Sequence, residues 1–190
     1  MVDEAAFPAN PFWDWSVEAY ERPGAAPAFL ALQDRAGLDV NVALFCCWAG
    51  ERGIGLRPSD LDRIDDRIDD WVGSVVLPLR DVRRRLKAGF EGVPQALSEA
   101  VRQDVLAVEL DAERVSQSLL ASLADTAGRQ GTSPAAPETA ALNLAVYARW
   151  ARVDPPLASQ LLPRTMRALW PMSFTPAVHA ALLKALRTKH

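Results

Sequence analysis

The segment from Asn10 to Arg52, NPFWDWSVEAYERPGAAPAFLALQDRAGLDVNVALFCCWAGER, alternates helix start and stop residues so regularly that it leaves room for little except short helices. Asn10 before Pro11 is an N-cap followed by proline at the first helical position, which predicts a helix from about Pro11 to Glu21. Pro23 and Gly24 end it. Pro27 opens a second helix through Phe29, Leu30 and Leu32, which Gly37 closes as a left-handed C-terminal residue. Asp39 then caps a third helix over Val40 to Glu51. In that helix Val42 to Ala49 is apolar on every face, so Leu44, Phe45, Cys46, Cys47 and Trp48 are expected to be packed on several sides. Phe12, Trp13, Trp15 and Tyr20 read as core for the same reason of aromatic bulk.

Two longer patterns follow. Leu61, Ile64, Ile68, Trp71 and Val75 recur at steps of three and four, placing Trp71 in the core, and Leu79, Val82 and Leu86 continue the stripe one position out of phase. Pro78 sits at the shift, which predicts one helix from about Ser59 to Ala88 that kinks at the proline. After turn residues in Gly89 to Pro94, the stripe Leu97, Val101, Val105, Val108, Val115, Leu119 and Leu123 marks a second long helix to about Thr126. A short connection between two such helices favours an antiparallel hairpin. Gly128 to Pro137, GRQGTSPAAP, reads as a linker. Helical patterns resume at about Glu138 to Arg152, Pro155 to Trp170 interrupted by Pro163, and Pro176 to Thr188. Strand-like alternation is missing throughout. The expected fold is all-α: an N-terminal three-helix block, a long antiparallel helical hairpin and a C-terminal helical segment. The expected organisation is a core domain over 10–127, a linker over 128–137 and a segment over 138–190 packing on the core.

Hydrophobic content of 49% with 24% charged residues is ordinary for a globular chain of 190 residues. A net charge of -3 argues against a general nucleic-acid binder, which needs a basic surplus to neutralise phosphates. Met1 to Phe7 has neither the basic flank nor the apolar core of a signal peptide. No apolar run approaches the roughly 20 residues of a membrane span, so a cytoplasmic protein is expected. Cys46 and Cys47 are adjacent, hence about 100° apart on a helix and unable to bridge. With only His179 and His190 as histidines, a zinc site lacks its ligand count and spacing, and no cofactor is expected.

Three polar constellations invite chemistry. Asp65, Asp66 and Asp69 form a literal D-D-x-x-D, whose i, i+4 carboxylates could hold magnesium against a diphosphate. Acidic residues early in a helix also oppose its dipole and pair with Arg63 and Arg67, and a solvated acidic face is the favoured reading. Glu109 and Glu113 have i+4 spacing without a recognisable second motif. Arg80, Arg83, Arg84 and Lys87 lie along one helical stripe that suits an acidic partner, with no interleaved aromatics of the kind that stack nucleic-acid bases. Gln33, Asp34, Asp39 and Asn41 bracket the turn at Gly37, where a capping and hydrogen-bond network is favoured over a small polar pocket. No nucleophile elbow or phosphate loop is present, and Gly50, Gly53 and Gly55 read as a helix terminator.

The F-W-x-W-S opening with Tyr20, the L-x-L-Q-D of Leu30 to Asp34, the G-x-D-V-N-x-x-L-F that starts at Gly37, and the W-x-x-x-V-V-x-P-L-R of Trp71 to Arg80 together resemble a family of small proteobacterial proteins filed as a domain of unknown function. The resemblance covers about Asn10 to Ala127. It implies a cytoplasmic all-helical domain, carries over no activity or site residue, and has no D-D-x-x-D in its pattern. The leading expectation is a non-enzymatic cytoplasmic interaction or adaptor protein with a protein partner. The alternative is a small helical enzyme or binder for a diphosphate-bearing, isoprenoid-like ligand, using Asp65, Asp66 and Asp69 with magnesium and Arg83 or Arg84.

Overall fold

The computed structural model describes residues 7–124, 129–130 and 136–188. The fold is all-α. The first three helices follow their caps. In α1 (Pro11–Glu21) the Asn10 side chain accepts the backbone N–H groups of Phe12 and Trp13. α2 (Ala25–Ala36) begins two positions before Pro27, because left-handed Gly24 turns the chain directly into the helix and the proline falls in the first turn, where no N–H is needed. Gly37 ends it in left-handed backbone at φ 66°. Asp39 caps α3 (Val40–Glu51) by accepting the N–H of Val42 at 3.0 Å.

The long helix runs as α4 (Pro58–Trp71), a π-helical turn over Val72–Val76, and α5 (Leu77–Ala88). In the wide turn the Leu77 N–H reaches back to the Val72 carbonyl. One extra residue per turn is the physical content of the one-position shift in the apolar stripe, and it admits Pro78, which has no N–H to give. α6 (Gln95–Ala124) returns antiparallel to α5, pinned at the tip by the Ser98 hydroxyl on the Leu86 carbonyl at 2.9 Å. α7 (Ala136–Trp150), α8 (Pro155–Leu169) and α9 (Pro176–Arg187) complete the chain, with Asp154 and Thr175 capping the last two. Pro163 is accommodated inside α8 without breaking it. A feature absent from the sequence pattern is a two-residue antiparallel bridge, β1 (Ile54–Gly55) against β2 (Arg129–Gln130). The rest of the expected linker lies largely outside the described residues.

Helix α3 is the centre of the core, with every residue from Asn41 to Gly50 buried. α7 packs closely along it, α6 crosses it, α8 lies on α2, and α9 lies on α7. One apolar cluster therefore extends from Phe12 to Leu186 and includes residues of all the C-terminal helices. Phe12 stands edge-on to Phe45, with ring centroids 5.7 Å apart. Three expectations need correction. Trp71 is only half-buried, its indole N–H donating to the Ala112 carbonyl at 3.0 Å, because it straddles the hairpin seam rather than the core. Trp13, Trp15 and Tyr20 are half-buried too. In α6 the stripe residues Leu97, Val101 and Val108 are exposed, since the first half of α6 extends beyond the helices that cover its second half. Among the described residues no helix is long and apolar enough to cross a membrane.

Candidate functional site

A cavity of about 290 Å³ opens where the hairpin meets α1, α2 and α3. Helical spacing brings its lining together. α1 contributes Trp13, Ser16, Val17 and Tyr20 from one face, α2 contributes Leu30 and Gln33, and α3 contributes Val40, Asn41 and Leu44. The hairpin closes the other side with Arg80 and Arg83 from α5 and with Leu106, Glu109, Leu110, Glu113 and Gln117 from α6.

The hairpin wall is an ion network. Arg80 donates to Glu109 at 3.3 Å and to Glu113 at 2.8 Å, while the Arg83 guanidinium engages both oxygens of Glu109. Burial by itself pushes the Glu109 carboxyl upward, but Arg83 and Arg80 outweigh it and hold the group below the usual glutamate range. At Glu113 burial prevails over the single Arg80 contact, and the negative charges of Glu109 and Asp39 add to it, so this carboxyl is pushed up. Environments that drive two neighbouring carboxylates in opposite directions are a recurrent property of functional sites.

These shifts make a stability prediction. A folded-state value held down at Glu109 contributes stability above the unfolded glutamate range near ~4.3, lost as pH falls through the folded value. Glu109→Gln should therefore cost about 3 kcal/mol at neutral pH, by leaving Arg83 without its counter-charge, and progressively less in acid. The raised value at Glu113 works the other way: its contribution is complete below the unfolded range and is lost as pH rises through the folded value. Glu113→Gln should leave neutral-pH stability unchanged or higher. Urea unfolding of both variants at neutral and acidic pH checks the pair, and equal losses at neutral pH would refute the asymmetry.

Behind the ion pairs runs a buried polar chain. The Ser16 hydroxyl donates to Gln117 Oε1 at 2.8 Å, and Gln117 Nε2 donates to Asn41 Oδ1 at 2.8 Å. Asn41 is 5% exposed, and its amide nitrogen, which hydrogen-bonds to no other group among the described residues, opens to solvent in the groove. The Tyr20 hydroxyl, the Gln33 amide and the second oxygen of Glu113, all on half-buried residues, likewise face the groove without a protein partner among the described residues. Burial raises the Tyr20 phenol further, with help from Glu113, so it stands as a neutral O–H donor. Around these polar groups the apolar side chains of Val17, Leu30 and Leu110 are exposed.

Of the polar residues singled out in the sequence, Gln33, Asn41, Arg80 and Arg83 converge on this groove. Asp34, Asp39 and Arg84 line a more open depression of about 450 Å³ beside it, shared with Gln33 and Arg80. Asp39 has a structural task as well, since its N–H donates to the Tyr147 hydroxyl at 2.9 Å while its carboxylate caps α3. Lys87 is exposed and lines neither cavity. Arg80 and Arg83 are spent on Glu109 and Glu113, which leaves them little capacity for an acidic partner. Sequence reasoning misses Ser16 and Gln117 as site residues, and it notes Glu109 and Glu113 only for their i, i+4 spacing. The available signal was an i, i+4 acidic pair on an apolar helix, facing an i, i+3 arginine pair across the hairpin.

The aspartates of the D-D-x-x-D are exposed on α4. Asp65 and Asp69 rim a cavity of about 90 Å³ beside Asp39, Tyr147 and Trp150, and Asp66 does not reach it. Partial burial, together with Asp69, Asp66 and Asp62, pushes the Asp65 carboxyl up. Cys46 and Cys47 are completely buried free thiols, and burial pushes both well above the usual thiol range. Among the described residues no three His, Cys, Asp or Glu side chains are grouped to hold a metal ion.

No curated protein and no solved structure matches the chain. A family model does, over residues 11–120, a span that contains every residue of the groove and none of α7, α8 or α9. The chain belongs to that family, described as "Protein of unknown function (DUF2390)".

Proposed function

We propose that this protein is a non-enzymatic helical interaction module that receives a segment of a protein partner in the groove between its hairpin and first three helices. The observation that carries this reading is the coexistence of an exposed apolar rim, Val17, Leu30 and Leu110, with solvent-accessible polar groups in the groove that are free to meet a ligand. Apolar anchors seated beside a few fixed hydrogen-bonding groups are how proteins recognise peptide segments. The Asn41 amide offers a donor, the free oxygen of Glu113 an acceptor, and Gln33 both, which suits the alternating N–H and C=O groups of a main chain. Two arginines against two glutamates leave the wall neutral, which favours neither a polyphosphate nor a polycation.

The non-enzymatic part rests on how the reactive groups are disposed. Glu109 is locked by Arg83, the Ser16 hydroxyl is spent on its neighbours, and both thiols are buried and protonated. The diphosphate reading through Asp65, Asp66 and Asp69 has weaker support, because a cavity of about 90 Å³ falls short of the ~300 Å³ at which ligand pockets begin.

A photo-crosslinking residue at Leu110 tests the proposal in the native cell, with Arg164 on the exposed side of α8 as the control position. A discrete protein adduct is expected at Leu110 only, and Leu30→Glu should abolish it while leaving the fold intact, since Leu30 is exposed. A groove that forms no protein adduct, and instead retains a small molecule in native mass spectrometry, would sink the reading.

A further inference from the structure

The side of the hairpin opposite the groove is also apolar. α5 faces α6 through Leu79, Arg83 and Leu86, and α6 faces α5 through Ser98, Arg102, Val105 and Glu109, all buried or half-buried. The groove takes the flank that carries Arg80, Leu106, Leu110 and Glu113. At about 100° per residue, Val82 on α5 and Leu97, Val101 and Val108 on α6 fall together on the other flank. They are 49%, 62%, 50% and 52% exposed. Half-buried Leu79, Leu86 and Val105 lie between them, so the surface is continuous across both helices. Scattered exposed valines and leucines need no explanation, but a contiguous apolar face marks an interaction surface. Among the described residues nothing packs on it.

We infer that this face pairs with the same face of a second copy of the chain, forming an antiparallel four-helix arrangement about a twofold axis parallel to the helices. Charge at the two edges supports a second copy. Beyond the apolar strip the α5 edge carries exposed Arg85 and the α6 edge carries exposed Asp104. The Ser98 bond to Leu86 and the Arg83 pairing with Glu109 set the antiparallel register, which places Arg85 and Asp104 at about the same height on opposite edges. The twofold operation lays Arg85 of each copy over Asp104 of the other, as a self-complementary surface requires. In the single copy Arg85 stacks 4.3 Å from the Phe90 ring centroid and donates to the Gly89 carbonyl at 3.2 Å, both toward the hairpin tip, and it exchanges these exposed contacts for Asp104 on pairing. α5 has 12 residues, so the face is ~18 Å long and two helices wide. That is below the roughly 1,200 Å² of a standard specific interface and within the range of weak, transient ones, so dissociation toward the upper end of the micromolar range is expected. The groove stays open on the opposite side, so this inference stands independently of the proposed function.

Sedimentation equilibrium on the full chain, from about one to a few hundred micromolar, reads the association directly. A monomer–dimer equilibrium is expected. Val101→Asp should abolish it with unchanged helicity, because Val101 is half exposed in the monomer, whereas Leu30→Glu in the groove should leave it alone. Arg85→Glu should weaken the dimer about tenfold, and adding Asp104→Arg should restore it, since the double exchange rebuilds the pair only across two copies in this register. A strictly monomeric chain at the highest concentration, a dimer indifferent to Val101→Asp, or a charge exchange that fails to restore association would overturn the inference.

Discussion

Gly50→Val is expected to leave the protein largely unfolded at room temperature, with a loss on the order of 5 kcal/mol, comparable with the whole stability of an ordinary domain. A Cβ at position 50 would lie 2.4 Å from both the Cα and the backbone nitrogen of Ala140. Those are backbone atoms of α7, which cannot rotate away as a side-chain tip could. Even Gly50→Ala must push α3 away from α7 and open the most closely packed helix pair in the core. Overpacking by a methyl group ordinarily costs about 1 to 3 kcal/mol, and a backbone obstruction should put the alanine variant at or above the top of that range. Gly55→Ala serves as the control, because its Cβ would meet nothing within 4 Å. Urea unfolding of Gly50→Ala with a wild-type midpoint would mean that α3 and α7 are not in contact there.

Asn143→Leu should be nearly as damaging. This one side chain, 1% exposed, satisfies three backbone groups: it accepts the Leu56 N–H at 2.8 Å and donates to the carbonyls of Cys46 at 3.0 Å and Ile54 at 2.9 Å. Leucine has the same branched four-atom skeleton, is somewhat bulkier, and leaves all three unpaired. At about 1 to 3 kcal/mol for each buried group stranded without a partner, incompletely additive, the loss should be on the order of 3 to 6 kcal/mol. The same bonds staple the Ile54–Leu56 segment to α7, so amide hydrogen exchange at Leu56 should accelerate to the rate of global opening. Slow exchange at Leu56 together with an unchanged unfolding midpoint would show that other groups hold the segment.

Both positions depend on contacts far apart in the chain, which no local pattern encodes. Gly50 looked like part of a helix terminator, yet it sits inside α3 as a contact point for a helix some 90 positions further on, near Ala140. Asn143 is a lone asparagine in an alanine-rich helix with no local signature, and its three partners are Cys46 in α3, Ile54 in β1 and Leu56 just after it. The turn at Gly37 was easier. Asp39 caps from two positions away, so its role is written within one turn of chain. The shift in the α4–α5 stripe was also visible. What periodicity could not supply was the remedy, a wide turn placed before Pro78 instead of a bend at it.

Helix identity and helix ends in this chain follow from local sequence, because caps, prolines and the step of three or four act over a single turn of backbone. The all-α class and the hairpin follow from the same short-range terms. Which face each helix covers was settled by packing over long sequence distances. The apolar stripe of α6 runs from Leu97 to Leu123, but the face its second half buries is that of Ala112, Ser116, Leu120 and Ala124 beside the stripe, so Leu119 and Leu123 are half-buried and Leu97 is exposed. The groove has the same origin. Ser16, Asn41, Arg80, Glu109 and Gln117 belong to four helices, and each alone reads as an ordinary polar residue on an amphipathic surface. Only the crossing of those helices buries them together, and burial is what pairs Glu109 with Arg83, drives Glu113 the other way, and leaves the Asn41 amide facing an open cavity.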